Sequence, residues 1–354
     1  MLKVQGIYDR GNCQRNAAMH RGLTLGKYAP FHKGHQLVIE TALAEVHELI
    51  VIIYDAEELT SVPLSVRAER IRELYPQVRI IEAWDGPTEV GDSPEIKTAH
   101  EKYILETLGI ARIDAFYSSE FYGEHMSLAL KAMNRQVDPE RKQVQISGSR
   151  IRENPFRYRE FMEPSVYREF ITNIVFLGAP CTGKTSICEK LAEEFRTEWM
   201  PEFGREYWEK HQMNRRLSPD QLTEIAEIHL EKENEKILNA DKYLFTDTNA
   251  ITTYMFSKYY HGYAQQRLAE LALQASFRYD LVFLCDTDIP YDDTWDRSGD
   301  MQRKIFQKQI IADLHVRKIP YYLLRGNPEE RAEKVRQVMN RHQKYENILK
   351  PWQF

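Results

Sequence analysis

The sequence predicts an α/β protein of two domains, each with a parallel sheet between helices. Three observations carry this prediction. Short apolar runs alternate with helical patterns through the first part of the chain, the alternation restarts at Asn173, and a complete phosphate-binding loop follows at Gly178–Thr185. A chain of 354 residues is long enough for two domains, each with its own core.

The first domain is predicted from four strands that alternate with helical patterns. The strands are Gly22–Lys27, Glu48–Tyr54, Val78–Glu82 and Ile113–Tyr117. The helical patterns are Gly34–His47, Val66–Tyr75 and Pro94–Leu108. Such alternation is typical of a parallel sheet that is covered on both faces.

The second domain repeats this scheme with longer helices. Its predicted strands are Asn173–Leu177, Tyr243–Asp247, Leu281–Cys285 and Tyr321–Leu324. We therefore expect a poorly ordered leader over 1–21, a first domain over 22–153, a linker over 154–171 and a second domain over 172–354. The leader is too short for a helix-turn-helix, so no nucleic-acid partner is expected.

Composition indicates a cytoplasmic globular protein. Apolar residues make up 42% and charged residues 29%, and the net charge of -5 gives no basic field for nucleic acid. No apolar run reaches the length of a membrane span, and the N-terminus has no signal peptide. The cysteines form no Cys-x-x-Cys pair, which fits a reducing compartment: Cys13, Cys181, Cys188 and Cys285.

The first predicted site is the turn Gly26–His35, between a strand and a helix. Gly26 allows a close approach to a ligand, and Gly34 opens a helix whose amides attract anions. His32 and His35 would face phosphates, because imidazole donates hydrogen bonds at neutral pH and can carry positive charge as pyrophosphate leaves. An ordinary loop with surface histidines is the alternative interpretation.

This turn resembles the Gly-Lys-Phe-x-Pro-x-x-x-Gly-His signature of nucleotidylyltransferases, a Rossmann-like family. The segment Ile146–Arg152 is similar to their second motif. The resemblance implies that Lys27 takes part in catalysis and that ATP phosphates are held by the turn together with Ser147 and Arg150 or Arg152. Such enzymes join ATP to a phosphate or acidic acceptor by orientation and charge stabilisation.

Residues after two other strands are candidates for binding the acceptor. Trp84 and Tyr122 lie on the ligand side of such a sheet. An indole stacks on an aromatic cation, so Trp84 could bind a nicotinamide ring. Packing explains Trp84 equally well.

The second predicted site is the Gly-x-x-x-x-Gly-Lys-Thr loop. Its backbone would cradle ATP phosphates, Lys184 would reach the β- and γ-phosphates, and Thr185 would hold Mg²⁺. The ATP-binding set is Gly178, Ala179, Pro180, Cys181, Thr182, Gly183, Lys184, Thr185 and Ser186.

Residues beyond this loop point to a nucleoside kinase. Glu202 and Trp208 resemble the arrangement in which a carboxylate activates the acceptor hydroxyl and an aromatic side chain stacks on the base. Asp247 ends a strand and would bind Mg²⁺ or act as the base, and the sequence does not rank it against Glu202. Tyr254 is either a second aromatic wall or a packing residue.

A polar stretch, Asp286–Asp300, has the composition of a mobile lid. Within it, Arg297 would neutralise transferred charge. Arg303 is a weaker candidate for this role, since such a residue is more often solvated on a helix.

The two domains in this order resemble the NadR-type bifunctional family over roughly residues 22–345. The resemblance implies phosphorylation of nicotinamide riboside to nicotinamide mononucleotide (NMN) by the second domain. The first domain would adenylylate NMN to NAD, with ATP and Mg²⁺ required. Some relatives are repressors with an N-terminal helix-turn-helix, for which this chain has no room.

Two other interpretations stay open at this point. The chain could combine an adenylyltransferase for another phosphorylated acceptor with a different nucleoside kinase. It could instead be a nucleotide sensor that binds without turnover. A homo-oligomer is compatible with all three.

Overall fold

A computed structural model describes residues 19–110, 112–120, 122–211, 217–290 and 300–345, without the side chains of 300 and 301. The chain divides into two compact units, Met1–Gly148 and Ser149–Phe354, and each is described by itself. Within the described ranges, no helix combines the length and the apolar character needed to cross a bilayer.

The N-terminal unit is built on a five-stranded parallel sheet with the order β3-β2-β1-β4-β5. Its strands are β1 (Met19–Gly26), β2 (Val46–Tyr54), β3 (Arg79–Ala83), β4 (Ala115–Ser118) and β5 (Met133–Gln136). Its helices are α1 (Lys33–Glu45), α2 (Leu64–Leu74), α3 (Pro94–Lys102), which continues in a π-helical turn at Tyr103–Thr107, and α4 (Gly123–Leu130).

Strand β1 begins earlier than the sequence predicts. Met19 already pairs with Val46 of β2, so Met19–Arg21 belongs to the sheet and the prediction of a leader is wrong for these three residues. Asp114 holds this end of the strand, because its carboxylate accepts hydrogen bonds from the backbone N–H groups of His20 and Arg21 at 2.7 and 2.8 Å.

Strand β5 was not predicted. Its sequence Met-Asn-Arg-Gln has no apolar run, and it lies at the edge of the sheet, where it pairs with β4. An edge strand is partly solvated, so its polar composition is compatible with pairing but gives no sequence signal.

The C-terminal unit has a second five-stranded parallel sheet with the order β10-β9-β6-β8-β7. Its strands are β6 (Thr172–Leu177), β7 (Trp199–Met200), β8 (Tyr243–Asp247), β9 (Leu281–Cys285) and β10 (Tyr322–Leu324). Its longer helices are α7 (Lys184–Phe195), α8 (Phe203–His211), α9 (Pro219–Ile237), α10 (Ala250–His261), α11 (Gln266–Ala275), α12 (Asp300–Val316) and α13 (Pro328–Arg341).

The centre of this second sheet is aromatic and fully buried. Phe176 and Phe283 stack with ring centroids 5.4 Å apart, and both are fully buried. Strand β6 lies between β9 and β8, and the order of strands reverses around it, so the loop after β6 opens at the place where parallel sheets bind ligands. The predicted fold class is confirmed for both units.

The segment predicted as a linker is folded against the C-terminal unit. It follows α5 (Gly148–Glu153) and contains the short helix α6 (Pro164–Tyr167) and two 3₁₀ turns at Arg159–Phe161 and Arg168–Phe170. The Tyr167 hydroxyl donates to the Ala240 carbonyl at 2.6 Å, and Lys344 Nζ donates to the carbonyls of Arg168 and Ile171 at 3.0 and 2.6 Å.

Two candidate active sites

The two histidines of the N-terminal unit cap helix α1 and pack against each other. His32 Nδ1 accepts from the Gly34 N–H at 3.1 Å, and His35 Nδ1 accepts from the His32 N–H at 3.3 Å. The rings stack with centroids 3.8 Å apart. Since both Nδ1 atoms accept, each neutral ring carries its proton on Nε2 and can donate from there. A Cβ at position 34 would lie 2.9 Å from the His32 ring, so glycine makes room for it.

Burial keeps this pair uncharged. It lowers the pKa of His32 to about 4, with a further contribution from the Arg141 guanidinium. The pKa of His35 is lowered well below its usual value by burial, by His32 and by Arg141. At neutral pH without ligand the positive charge near the pair therefore comes from Arg141, not from imidazolium. Arg141 was missed, because it belongs to neither sequence motif.

Lys27 is held at the end of β1 by neighbouring loops. Its Nζ donates to Glu58 and, at 2.7 Å, to the Thr88 carbonyl. The buried Arg67 of α2 donates to the Lys27 carbonyl and to the Tyr54 carbonyl, the latter at 3.0 Å. Arg67 therefore ties together the ends of β1 and β2. No local motif marked it, since its partners lie far away in sequence.

A small cavity of about 130 Å³ lies beside Lys27 and is lined by Tyr122 and Tyr54, among others. Tyr122 donates to the Leu25 carbonyl at 3.2 Å. The Tyr54 hydroxyl and His125 Nε2 are buried and have no hydrogen-bond partner in the described part of the chain. Trp84 is 57% exposed and does not line this cavity, so its stacking on a nicotinamide ring stays a prediction.

The second motif lies where the two units meet in sequence. Ser147 directly precedes α5. Arg150 donates to the Tyr158 hydroxyl at 3.0 Å and lies over that ring, and Arg152 donates to Ser149 Oγ at 3.1 Å. The role of these three residues in holding phosphates stays a prediction.

The phosphate-binding loop has the backbone that its glycines allow. Gly178 has φ 141°, and a Cβ there would lie 2.7 Å from the Cys285 carbonyl oxygen. Gly183 has φ 79° and immediately precedes α7, which begins at Lys184. Only glycine adopts such angles readily, and the helix N-terminus then faces the loop.

Side chains from distant helices hold this loop in place. Gln307 accepts from the Ala179 N–H at 2.8 Å, and Arg331 donates to the Thr182 carbonyl at 2.7 Å. Lys184 Nζ donates to the Ala179 carbonyl at 3.1 Å and is buried. Gln307 and Arg331 were missed, because a sequence motif does not show what packs beneath its loop.

Asp247 and Thr185 form the polar centre of the second site. Thr185 Oγ1 donates to Asp247 Oδ2 at 2.5 Å. Asp247 is fully buried, and its Oδ1 has no hydrogen-bond partner among the described residues. Burial, then the nearby Glu202 carboxylate, raises the pKa of Asp247 to about 6, against the opposing effect of Lys184.

A cavity of about 320 Å³ opens beside this centre and contains Glu202 and Trp208 in its wall. Helix α10 contributes an aromatic face that the sequence did not single out, Phe256, Tyr259 and Tyr260. Tyr254 lies on another face of α10, outside this wall, with the Arg317 guanidinium 5.0 Å from its ring centre. The prediction of Tyr254 as a wall of the substrate pocket is therefore wrong for this cavity.

Arg297 and most of the predicted lid, 291–299, lie outside the described residues. Arg303, predicted as a weaker candidate, is buried and donates to the Cys181 carbonyl at 3.3 Å, so it supports the phosphate-binding loop. It also lines the cavity.

Comparison with known proteins agrees with this geometry. A family model for cytidylyltransferase-like domains matches residues 23–154, and one for an AAA domain matches 173–331. The chain is 29% identical over 334 residues to the trifunctional NAD biosynthesis/regulator protein NadR of Escherichia coli (strain K12), covering 85% of this chain and 77% of that protein.

Two crystal structures of NadR protein share the fold. One, in complex with NAD and AMP-PNP, has a TM-score of 0.53 at 19% identity and covers 93% of this chain and 98% of its own. The other, in complex with NR, has the same TM-score and identity and covers 91% and 96%.

The chain is thus a two-domain enzyme in which a nucleotidyltransferase domain precedes a P-loop kinase domain. Within that class it is similar to the NadR proteins.

Proposed function

We propose that the C-terminal unit phosphorylates nicotinamide riboside with ATP and that the N-terminal unit joins the resulting NMN to ATP, giving NAD and pyrophosphate. The main support is the aromatic cavity that adjoins the Thr185–Asp247 pair, since its aromatic side chains can stack on the ring of a nucleoside beside a phosphoryl-transfer centre. NadR proteins bound to NAD, AMP-PNP and NR support the same ligands. We place both reactions in the cytoplasm, because Cys181, Cys188 and Cys285 are free thiols.

In the N-terminal unit, the histidine pair would donate hydrogen bonds from Nε2 to the triphosphate of ATP. Arg141 and Lys27 would add positive charge as pyrophosphate leaves. The NMN phosphate would attack the α-phosphorus directly, so that orientation and charge stabilisation provide the catalysis. The neighbouring 130 Å³ cavity would receive the acceptor.

In the C-terminal unit, Lys184 and the loop amides would bind the β- and γ-phosphates. In the described ranges, no group of three His, Cys, Asp or Glu side chains could hold a metal. Mg²⁺ would therefore be bound by protein side chains together with phosphate oxygens of the nucleotide. The unpartnered, buried Asp247 Oδ1 and the Thr185 hydroxyl are oxygen donors that suit it. Mg²⁺ bound there would neutralise charge on the phosphates.

The geometry also supports different roles for the two carboxylates that the sequence left unranked, Asp247 and Glu202. Asp247 is engaged by Thr185 at the floor of the loop, which fits a metal ligand. Glu202 lines the cavity itself, which supports a role for its carboxylate beside the acceptor hydroxyl. We therefore assign proton acceptance from the 5′-hydroxyl to Glu202, and ring stacking to Trp208.

The test is a time course with the full chain, ATP, Mg²⁺ and nicotinamide riboside, with products identified by mass. NMN should appear first and NAD afterwards, with one ADP formed for each NMN and one pyrophosphate for each NAD. Turnover only with another nucleoside or phosphorylated acceptor would support the alternative substrates. Binding of ATP without any product would support a sensor.

A further inference from the structure

His229 lies in the wall of the 320 Å³ cavity and has no role in the chemistry above. It is on α9, is 5% exposed and lines the cavity together with Glu202. Its Nε2 is buried and has no hydrogen-bond partner among the described residues. Buried polar atoms are almost always paired, so an unpaired one in a ligand cavity indicates a partner on the ligand.

The state of the ring defines what that partner must be. Burial lowers the pKa of His229 despite the nearby Glu233 and Glu202 carboxylates, so the ring is neutral at pH 7. A hydrogen bond with the backbone of Thr248 raises the pKa of His229. A backbone carbonyl that accepts from a ring N–H has this effect. With that N–H at Nδ1, Nε2 is a hydrogen-bond acceptor and requires a donor from the ligand.

The backbone beside His229 is itself strained. Thr248 has φ 65°, which is an outlier for a β-branched residue. Such strain concentrates at functional sites. The hydroxyls of Thr248 and Thr252 also line the cavity, are buried and have no hydrogen-bond partner in the described part of the chain. Together with His229 Nε2, these unsatisfied hydroxyls fit a ligand that carries several hydroxyls.

The position along the cavity favours a sugar over a ring substituent. The Glu202 carboxylate is close enough to raise the pKa of both Asp247 and His229, so it lies near the phosphoryl-transfer centre and near His229. If Glu202 faces the 5′-hydroxyl, the next groups along a nucleoside are its 2′- and 3′-hydroxyls.

We propose that His229 Nε2 accepts a hydrogen bond from the 2′- or 3′-hydroxyl of the acceptor nucleoside and thereby selects ribosides over deoxyribosides. This inference rests on the proposed function to the extent that the acceptor is a nucleoside. His229 is then a specificity residue that contacts substrate and takes no part in proton transfer.

The test compares wild type with His229→Leu on nicotinamide riboside and on its 2′-deoxy and 3′-deoxy forms. We expect His229→Leu to lower kcat/KM for the riboside by about 10- to 100-fold, the scale of one buried hydrogen bond and its unpaired remnant. One of the deoxy forms should be used equally well by both proteins. His229→Gln, whose amide oxygen can take the place of Nε2, should regain most of the loss.

Controls separate this inference from misfolding and from the proposed function. Thr223→Val changes another buried polar residue of α9, which lies outside the cavity wall, and should change kcat/KM by less than about twofold. If wild type rejects nicotinamide riboside, the proposed function fails, and the comparison is made on whichever ribonucleoside of a panel it accepts.

Three results would overturn the assignment of His229. The first is an equal loss on all three nucleosides. The second is a kcat/KM loss in His229→Leu that disappears only when the carboxamide on the nicotinamide ring of the substrate is replaced by a carboxylate. The third is a panel in which no ribonucleoside is accepted.

Discussion

The two units bind phosphates with contrasting electrostatics. In the N-terminal unit the central groups are buried, stacked imidazoles that are neutral at pH 7, with Arg141 as the nearby charge. In the C-terminal unit the buried Lys184 ammonium donates to the phosphate-binding loop, and the buried Asp247 carboxylate accepts from Thr185 at the end of that loop. Neutral donors with a guanidinium beside them suit a reaction that expels pyrophosphate, whereas the second arrangement suits a metal-bound nucleotide.

The largest expected effect is that of Lys184→Ala. Phosphorylation of nicotinamide riboside should fall by about 10³-fold, because a charged donor to the phosphates is removed from a buried position. Adenylylation of NMN by the same protein should stay within twofold of wild type, about the scatter of such assays. This second rate also reports that the protein is folded. Loss of both rates in a folded protein would contradict the assignment of one reaction to each unit.

His35→Ala should show the opposite pattern with a smaller factor. We expect NMN adenylylation to slow by about 10²-fold, the loss of one preorganised donor, with riboside phosphorylation unchanged. Both rates are measured by product mass under saturating ATP. An adenylylation rate near that of wild type would remove the histidine pair from the site.

The two reactions should respond differently to acid. Asp247 has a pKa raised to about 6, so its carboxylate becomes protonated as the pH falls below that value, and kcat/KM for phosphorylation should drop about tenfold per pH unit. His32 has a pKa lowered to about 4, so the pair stays neutral and adenylylation should be nearly constant from pH 7 to 5.5. Both reactions use ATP and Mg²⁺, so each is a control for the other. An equal decline of both rates with falling pH would contradict the electrostatic difference between the two sites.

The smallest effect concerns the aromatic wall. Trp208→Leu should raise the KM for nicotinamide riboside about fivefold, the equivalent of about 1 kcal/mol of cation–π stacking. Tyr254→Leu is the matched control and should leave KM unchanged, because Tyr254 lies outside the cavity wall. A larger effect from Tyr254 than from Trp208 would reverse our assignment.

Sequence predicted best what local backbone chemistry determines. The phosphate-binding loop was found in full, because the conformations at Gly178 and Gly183 require glycine and Lys184 starts the helix. The buried strands Tyr243–Asp247 and Leu281–Cys285 were predicted with their observed bounds. Leu281–Cys285 is a continuous apolar run, and Tyr243–Asp247 begins with one, as is typical of strands covered on both faces.

What sequence could not predict depends on tertiary contacts. Arg67 and Arg331 act on loops that are distant in sequence, and Arg141 lies in a polar loop that carries no motif. Tyr254 and Phe256 are two residues apart on one helix, and only the packing of α10 decides which faces the cavity. The edge strand Met133–Gln136 lacked an apolar signal because solvent covers part of it.

The most direct test of two separate sites on one chain is a mixing experiment. Lys184→Ala and His35→Ala are each incubated with ATP, Mg²⁺ and nicotinamide riboside, alone and together, and NAD is followed by mass. Alone, Lys184→Ala should accumulate neither NMN nor NAD, and His35→Ala should accumulate NMN. Together they should produce NAD, because free NMN made by one protein can be adenylylated by the other. No NAD from the mixture, with both proteins folded and His35→Ala making NMN, would contradict the account.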